Sequence, residues 1–114
     1  FGPLFMHIAV FNHIGLDNPP AVLPWLPRQN ETTRNVKPTL ILTGLAGNAF
    51  LQCHIEHHLF PSFSHHLLKE VSPVVRKFMD EKGYKYRNES YWWCLKNCLD
   101  HYHELFDNRT QAVF

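Results

Sequence analysis

The 114-residue sequence predicts an all-α chain. Apolar residues recur at helical spacing in two long stretches. One holds Leu67, Leu68, Val71, Val75, Phe78 and Met79, and the other Tyr91, Trp92, Leu95, Leu99, Tyr102 and Phe106. No run shows the two-residue alternation of a half-buried strand. Glycine and proline signals divide the rest into pieces of helical length, and the length suits one small domain.

Taken in order, residues 1–14 read as the end of an apolar helix that stops at Gly15. The stretch is shorter than the roughly 20 residues that cross a bilayer. The tail of a transmembrane helix and a buried helix of a soluble domain both fit it. Residues 15–38 read as a connector, because Pro19, Pro20, Pro24, Pro27 and Pro38 forbid a continuous helix. Residues 39–60 read as a second helix, apolar at first and relaxed by Gly44 and Gly47, with Pro61 ending it. The third helix stops at Lys82-Gly83, and Ser72-Pro73 inside it has the form of a cap and restart. Tyr84 to Asn88 is expected to be extended, with Ser90 capping the last amphipathic helix.

The composition excludes some functions. A formal charge of +1, without a basic run interleaved with aromatics, argues against nucleic-acid binding. Three cysteines do not form a disulfide framework and read as reduced thiols. The chain begins at Phe1 with no signal-peptide pattern, which suggests a fragment with a missing upstream part.

Histidine is the outlier, with nine residues. Three of them fall in Gln52-Cys53-His54-Ile55-Glu56-His57-His58-Leu59-Phe60-Pro61. On a helix, positions i, i+3 and i+4 share a face, so His54, His57 and His58 project together while Glu56 points roughly the other way. Three neutral imidazoles on one face suit zinc, copper, iron or nickel. A solvent-exposed histidine face is the alternative, since burying three such rings without a metal leaves many nitrogens needing partners.

The string His54 to Pro61 resembles the third histidine box of the membrane fatty acid desaturases, an HxxHH pattern commonly followed by Leu-Phe-Pro. Asn12-His13, at the end of the first apolar stretch, is similar to an Asn-His pair that precedes the box in that family. Leu68 to Tyr86, with Ser72-Pro73-Val74-Val75 and Lys82-Gly83-Tyr84, resembles the family's cytosolic tail. The resemblance covers about residues 5–90, and the branch it looks closest to is the animal fatty acid desaturase six type.

The resemblance implies the end of a transmembrane helix bundle with a cytosolic helical cap. Residues 1–14 would end a transmembrane helix, 15–38 form a loop, 39–60 carry the box and 61–114 form the cytosolic tail helices. It implies His13, His54, His57 and His58 as ligands of a two-iron centre completed by upstream histidines, with this chain inactive by itself. It implies oxygen-dependent introduction of a double bond into a fatty acyl lipid or acyl-CoA, with electrons from cytochrome b5 or ferredoxin. The location implied is a membrane, the endoplasmic reticulum, with the box on the cytosolic side. Members with a fused cytochrome b5 domain usually have Gln where this chain has His54, which argues against that subclass. A related membrane hydroxylase, a small soluble zinc domain and a non-catalytic relative are the rival readings.

Other candidates read more plainly. Cys94, Cys98, His101 and His103 match no common structural zinc spacing and read as packed cysteines and surface histidines. His65 and His66 read as capping or supporting groups, and His7 lies on the wrong face to share a ligand site with His13. Asn48, six residues before His54, is off the face of the box and is open only to a supporting role. Tyr91, Trp92 and Trp93 fit an interfacial aromatic belt and a core face equally. Lys69, Arg76, Lys77, Lys82, Lys85 and Arg87 all follow the box, as the positive-inside rule expects of a cytosolic tail and as a solvated helix face also would.

Overall fold

The computed structural model describes residues 10–16, 19–40 and 52–113. Most of this is helix. The first described segment is a closing helical turn, in which the His13 and Ile14 amides both donate to Val10 O at 3.1 and 2.9 Å. Gly15 then takes φ +73°, the left-handed conformation that ends the turn. Residues 1–9 and 41–51, which hold His7, Gly44, Gly47 and Asn48, lie outside the described residues. Among those described, no helix is long and apolar enough to cross a membrane.

The connector contains a helix that its prolines argued against. Helix α1 spans Trp25–Thr32 with Pro24 at its N-cap and Pro27 in its first turn. Both prolines occupy positions whose N–H would have no intrahelical partner, so neither costs a hydrogen bond. The chain then forms strand β1, Asn35–Val36. Helix α2, His54–Leu59, carries the box, and helix α3 runs His65–Lys82. Strand β2, Asn88–Glu89, pairs in parallel with β1, Asn35 against Asn88 and Val36 against Glu89. This two-residue ladder is the one sheet among the described residues, and its extended lead-in is where the sequence places it. Helix α4, Tyr91–Val113, completes the order.

Helix α3 does not restart at Ser72-Pro73; it passes through Pro73. The Ser72 hydroxyl is engaged by the Tyr86 hydroxyl at 3.1 Å and caps nothing. At the C-terminus Gly83 is left-handed (φ +75°), and Tyr84 N donates back to Met79 O at 2.8 Å.

Two small apolar clusters hold the elements together. Ile55 of α2 packs on Val75 and Met79 of α3, flanked by Leu59, Val71, Tyr84 and Tyr86. Phe11 and Val36 pack on Cys94 and Cys98 of α4, flanked by Val10, Ile14, Tyr91 and Leu95. The buried face of α4 therefore differs from the expected one. Its first two turns turn Tyr91, Cys94, Leu95 and Cys98 inward, while Trp92, Leu99, Tyr102 and Phe106 stand exposed. In addition to the clusters, Asn12, Asn30, Thr33, Arg34, Asn35, His54 and Glu56 are buried polar residues. Such groups need internal partners, and in meeting that need they position the histidines.

Candidate metal centre

His13 closes the first helical turn, and its placement is set on both sides. Asn12 Nδ2 donates to Arg34 O at 2.7 Å, and Arg34 N donates to Asn12 O at 3.1 Å. Arg34, fully buried, sends Nε to Phe11 O at 2.8 Å and Nη2 to Ile14 O. It thereby satisfies carbonyls that a helix end leaves without partners. Asn97 of α4 donates Nδ2 to Gly15 O at 3.0 Å.

His54 and His58 come from α2, one turn apart. His13, His54 and His58 meet with ring-nitrogen donor atoms all within 4.8 Å of one another. His54 Nε2 lies 2.8 Å from His13 Nε2 and 3.2 Å from His58 Nε2. The outward nitrogens decide the protonation. His13 Nδ1 faces Thr32 O at 2.8 Å, and His58 Nδ1 faces Gln29 Oε1 at 2.8 Å. Both partners only accept, so both Nδ1 atoms carry the proton and both Nε2 atoms present lone pairs in the neutral ring. His54 Nε2 has at most one hydrogen to offer those two lone pairs. At least one pair of nitrogens is therefore in contact with no proton between them, an arrangement that a shared cation resolves. Two nitrogens bound at about 2.1 Å and at right angles to one ion stand about 3 Å apart, which is the separation observed.

A proton is a poor candidate for that cation at His58. Burial pushes its pKa from 6.5 down to about 4, and the neighbouring His13 and His57 add to the shift. A ring kept neutral with an oriented N–H is the form that ligates metal.

His57 does not join this group. Its ring stands 6.0 Å from those of His54 and of His58, centroid to centroid. Glu56 points away from the imidazoles into the protein, as its place on the helix requires. His66 Nδ1 pairs with the hydroxyl of Ser64, the residue at the α3 N-cap. Cys94 and Cys98 are buried free thiols whose pKa values are raised by burial, and His103 faces Asp107 at 3.4 Å. Among the described residues, His13, His54 and His58 are the one group of three or more such side chains arranged to hold a metal.

Sequence reasoning missed the groups that aim the rings. Gln29 and Thr32 lie on α1, within the stretch read as connector. The available signal was Pro24 and Pro27 at the positions where helices accept proline.

The family model for fatty acid desaturases matches residues 1–90. The chain belongs to the fatty acid desaturase family. It is 33% identical to mouse fatty acid desaturase 6 over 103 residues, covering 89% of this chain and 30% of that protein. Human fatty acid desaturase 6 is 32% identical over 110 residues, with 89% of this chain and 29% of the relative covered. The Delta(5) fatty acid desaturase fat-4 of Caenorhabditis elegans is 33% identical over 95 residues, covering 80% of this chain and 21% of the relative. The chain thus spans less than a third of the length of these desaturases. No solved structure matches it. Desaturases generally use iron, and the three convergent nitrogens of this chain fit such an ion.

Proposed function

We propose that this chain is the part of a membrane di-iron fatty acid desaturase that carries its last histidine box. His13, His54 and His58 hold one iron, and His57, projecting from the same turn outside that cluster, serves the second. The single observation carrying this reading is the meeting of three Nε2 atoms, two of them on rings whose Nδ1 atoms face carbonyl oxygens that only accept. Histidines from other parts of the whole enzyme complete the site, so these residues alone are inactive.

Bound iron supplies the oxygen chemistry that takes two hydrogens from an unactivated acyl C–H pair and leaves a double bond. The residues here present neutral imidazoles and keep them aimed, through Thr32 and Gln29. Without carboxylate ligands, the geometry rests on such supporting bonds. The substrate is an acyl lipid or acyl-CoA in the endoplasmic reticulum membrane, with the box on the cytosolic side. Cytochrome b5 or ferredoxin delivers the electrons. The desaturase names of the relatives favour desaturation over the hydroxylation that the same kind of centre performs.

The test is expression of the full-length enzyme unaltered and with His54→Ala or His57→Ala, with iron content and acyl products measured. Loss of iron and of unsaturated product is expected from each. Full desaturation by either variant refutes that residue as a ligand, and a hydroxylated acyl chain from the unaltered enzyme refutes the reaction.

A further inference from the structure

Helix α2 has only six residues, too few to hold its own orientation, and its N-cap Cys53 makes no side-chain cap. What fixes it comes from two distant segments. Asn35 of β1 accepts the Ile55 N–H at 2.9 Å through Oδ1, an amide that the short helix cannot satisfy itself. The same side chain donates Nδ2 to Glu56 Oε2 at 3.0 Å and to the Tyr86 hydroxyl at 2.7 Å. Tyr86, from the segment leading into β2, donates its hydroxyl to Glu56 Oε1 at 2.5 Å. Its ring is in turn covered by the Arg76 guanidinium at 4.7 Å. Glu56 is thus gripped at both oxygens from two elements, and Asn35 and Glu56 are wholly buried.

Glu56 stands between the histidines in sequence and on the opposite side of the turn in space. A grip on both of its oxygens fixes the rotation of α2 about its axis, and that rotation decides where His54 and His58 point. We infer that Glu56, Tyr86 and Asn35 form a positioning lock for the histidine box, with Tyr86 and Glu56 setting metal affinity through the orientation of α2. This rests on the reading of the three histidines as metal ligands. The lock explains why the glutamate inside the box is buried and bonded although it ligates nothing.

The experiment uses the full-length enzyme, stripped and reloaded with cobalt(II), whose visible absorption reports ligand geometry. Tyr86→Phe removes one hydroxyl and keeps the ring under Arg76; Glu56→Gln keeps the shape and loses one acceptor. Each is expected to weaken cobalt(II) binding about ten- to a hundred-fold and to alter the absorption envelope, the size of effect that orienting partners have on metal sites. Glu56→Asp, which cannot reach both partners, is expected to be no better than Glu56→Gln. His54→Ala separates the two levels of inference. If it abolishes binding while Tyr86→Phe and Glu56→Gln keep the unaltered affinity and spectrum, and only melt earlier, the lock is a stability feature and the inference fails alone. If His54→Ala also leaves binding unchanged, the metal site and the lock fall together.

Discussion

Burial holds the His58 ring neutral, with its pKa down from 6.5 to about 4, and that has a consequence for stability. Between those values the unfolded chain takes up a proton at His58 that the folded chain refuses. Stability of iron-stripped protein is therefore expected to fall as pH drops from about 6.5 to about 4, by up to about 1.4 kcal/mol per pH unit, and to gain nothing from this group above that window. Denaturant melts at about pH 7 and about pH 5 measure the slope. His58→Gln should flatten it; an equal slope in that variant disproves the assignment. Gly15 gives a second test close to His13. Its φ is +73°, and a Cβ there would stand 2.3 Å from Asn97 Nδ2 and 2.9 Å from Asn97 Cγ. Gly15→Ala is expected to cost at least about 1 kcal/mol from the left-handed backbone alone, and more from the collision. Adding Asn97→Ala should recover part of the loss in a thermal melt, because it clears the side-chain clash and leaves the backbone strain.

The elements around the box work through buried polar contacts. Arg34 links the turn bearing His13 to β1, donating to Phe11 O and Ile14 O, and its guanidinium also lies 5.3 Å from the Trp93 ring. Arg34→Met keeps the bulk and leaves those carbonyls without donors, and is expected to cost about 2–3 kcal/mol of unfolding free energy in denaturant melts. A loss within error would show that the carbonyls find other partners. The helices that depend on apolar spacing were legible in the sequence: α3 ends at the Lys82-Gly83 stop, and Ser90 Oγ accepts the Trp93 N–H at the start of α4. So was the opposite direction of Glu56, which follows from helical spacing alone. Helix α1 was not read, because proline density is a poor guide once one proline falls at an N-cap and another in the first turn. The inward face of α4 was misread because Cys94 and Cys98 carry less apolar weight than Trp92 or Leu99, yet it is they that pack against Phe11 and Val36. The carbonyls of Thr32 and Gln29 behind His13 and His58 were signalled only through the prolines that start α1, since the contacts themselves are tertiary and one is made by backbone.

Across the whole molecule, the three nitrogens join segments that the apolar clusters leave only loosely coupled. His13 and His54 are 41 residues apart, and the Phe11 cluster and the Ile55 cluster share no residue. An ion bound by both segments cross-links them in the folded state, where the convergent site exists, and hardly at all in the unfolded chain. By mass action, ferrous iron at about a hundredfold above its dissociation constant adds about 2.7 kcal/mol to folding. Chelation is expected to remove that increment, and His13→Ala to make the melting midpoint insensitive to iron, because only one segment then remains to be held. The far half of α4 provides the control: Tyr102, Leu105 and Phe106 are exposed there and join neither cluster. Ending the chain after Asp100 should therefore leave the iron-dependent shift intact while His13→Ala abolishes it. A shift that survives His13→Ala, or that vanishes with the far half of α4, would place the stabilising ion elsewhere than among these histidines.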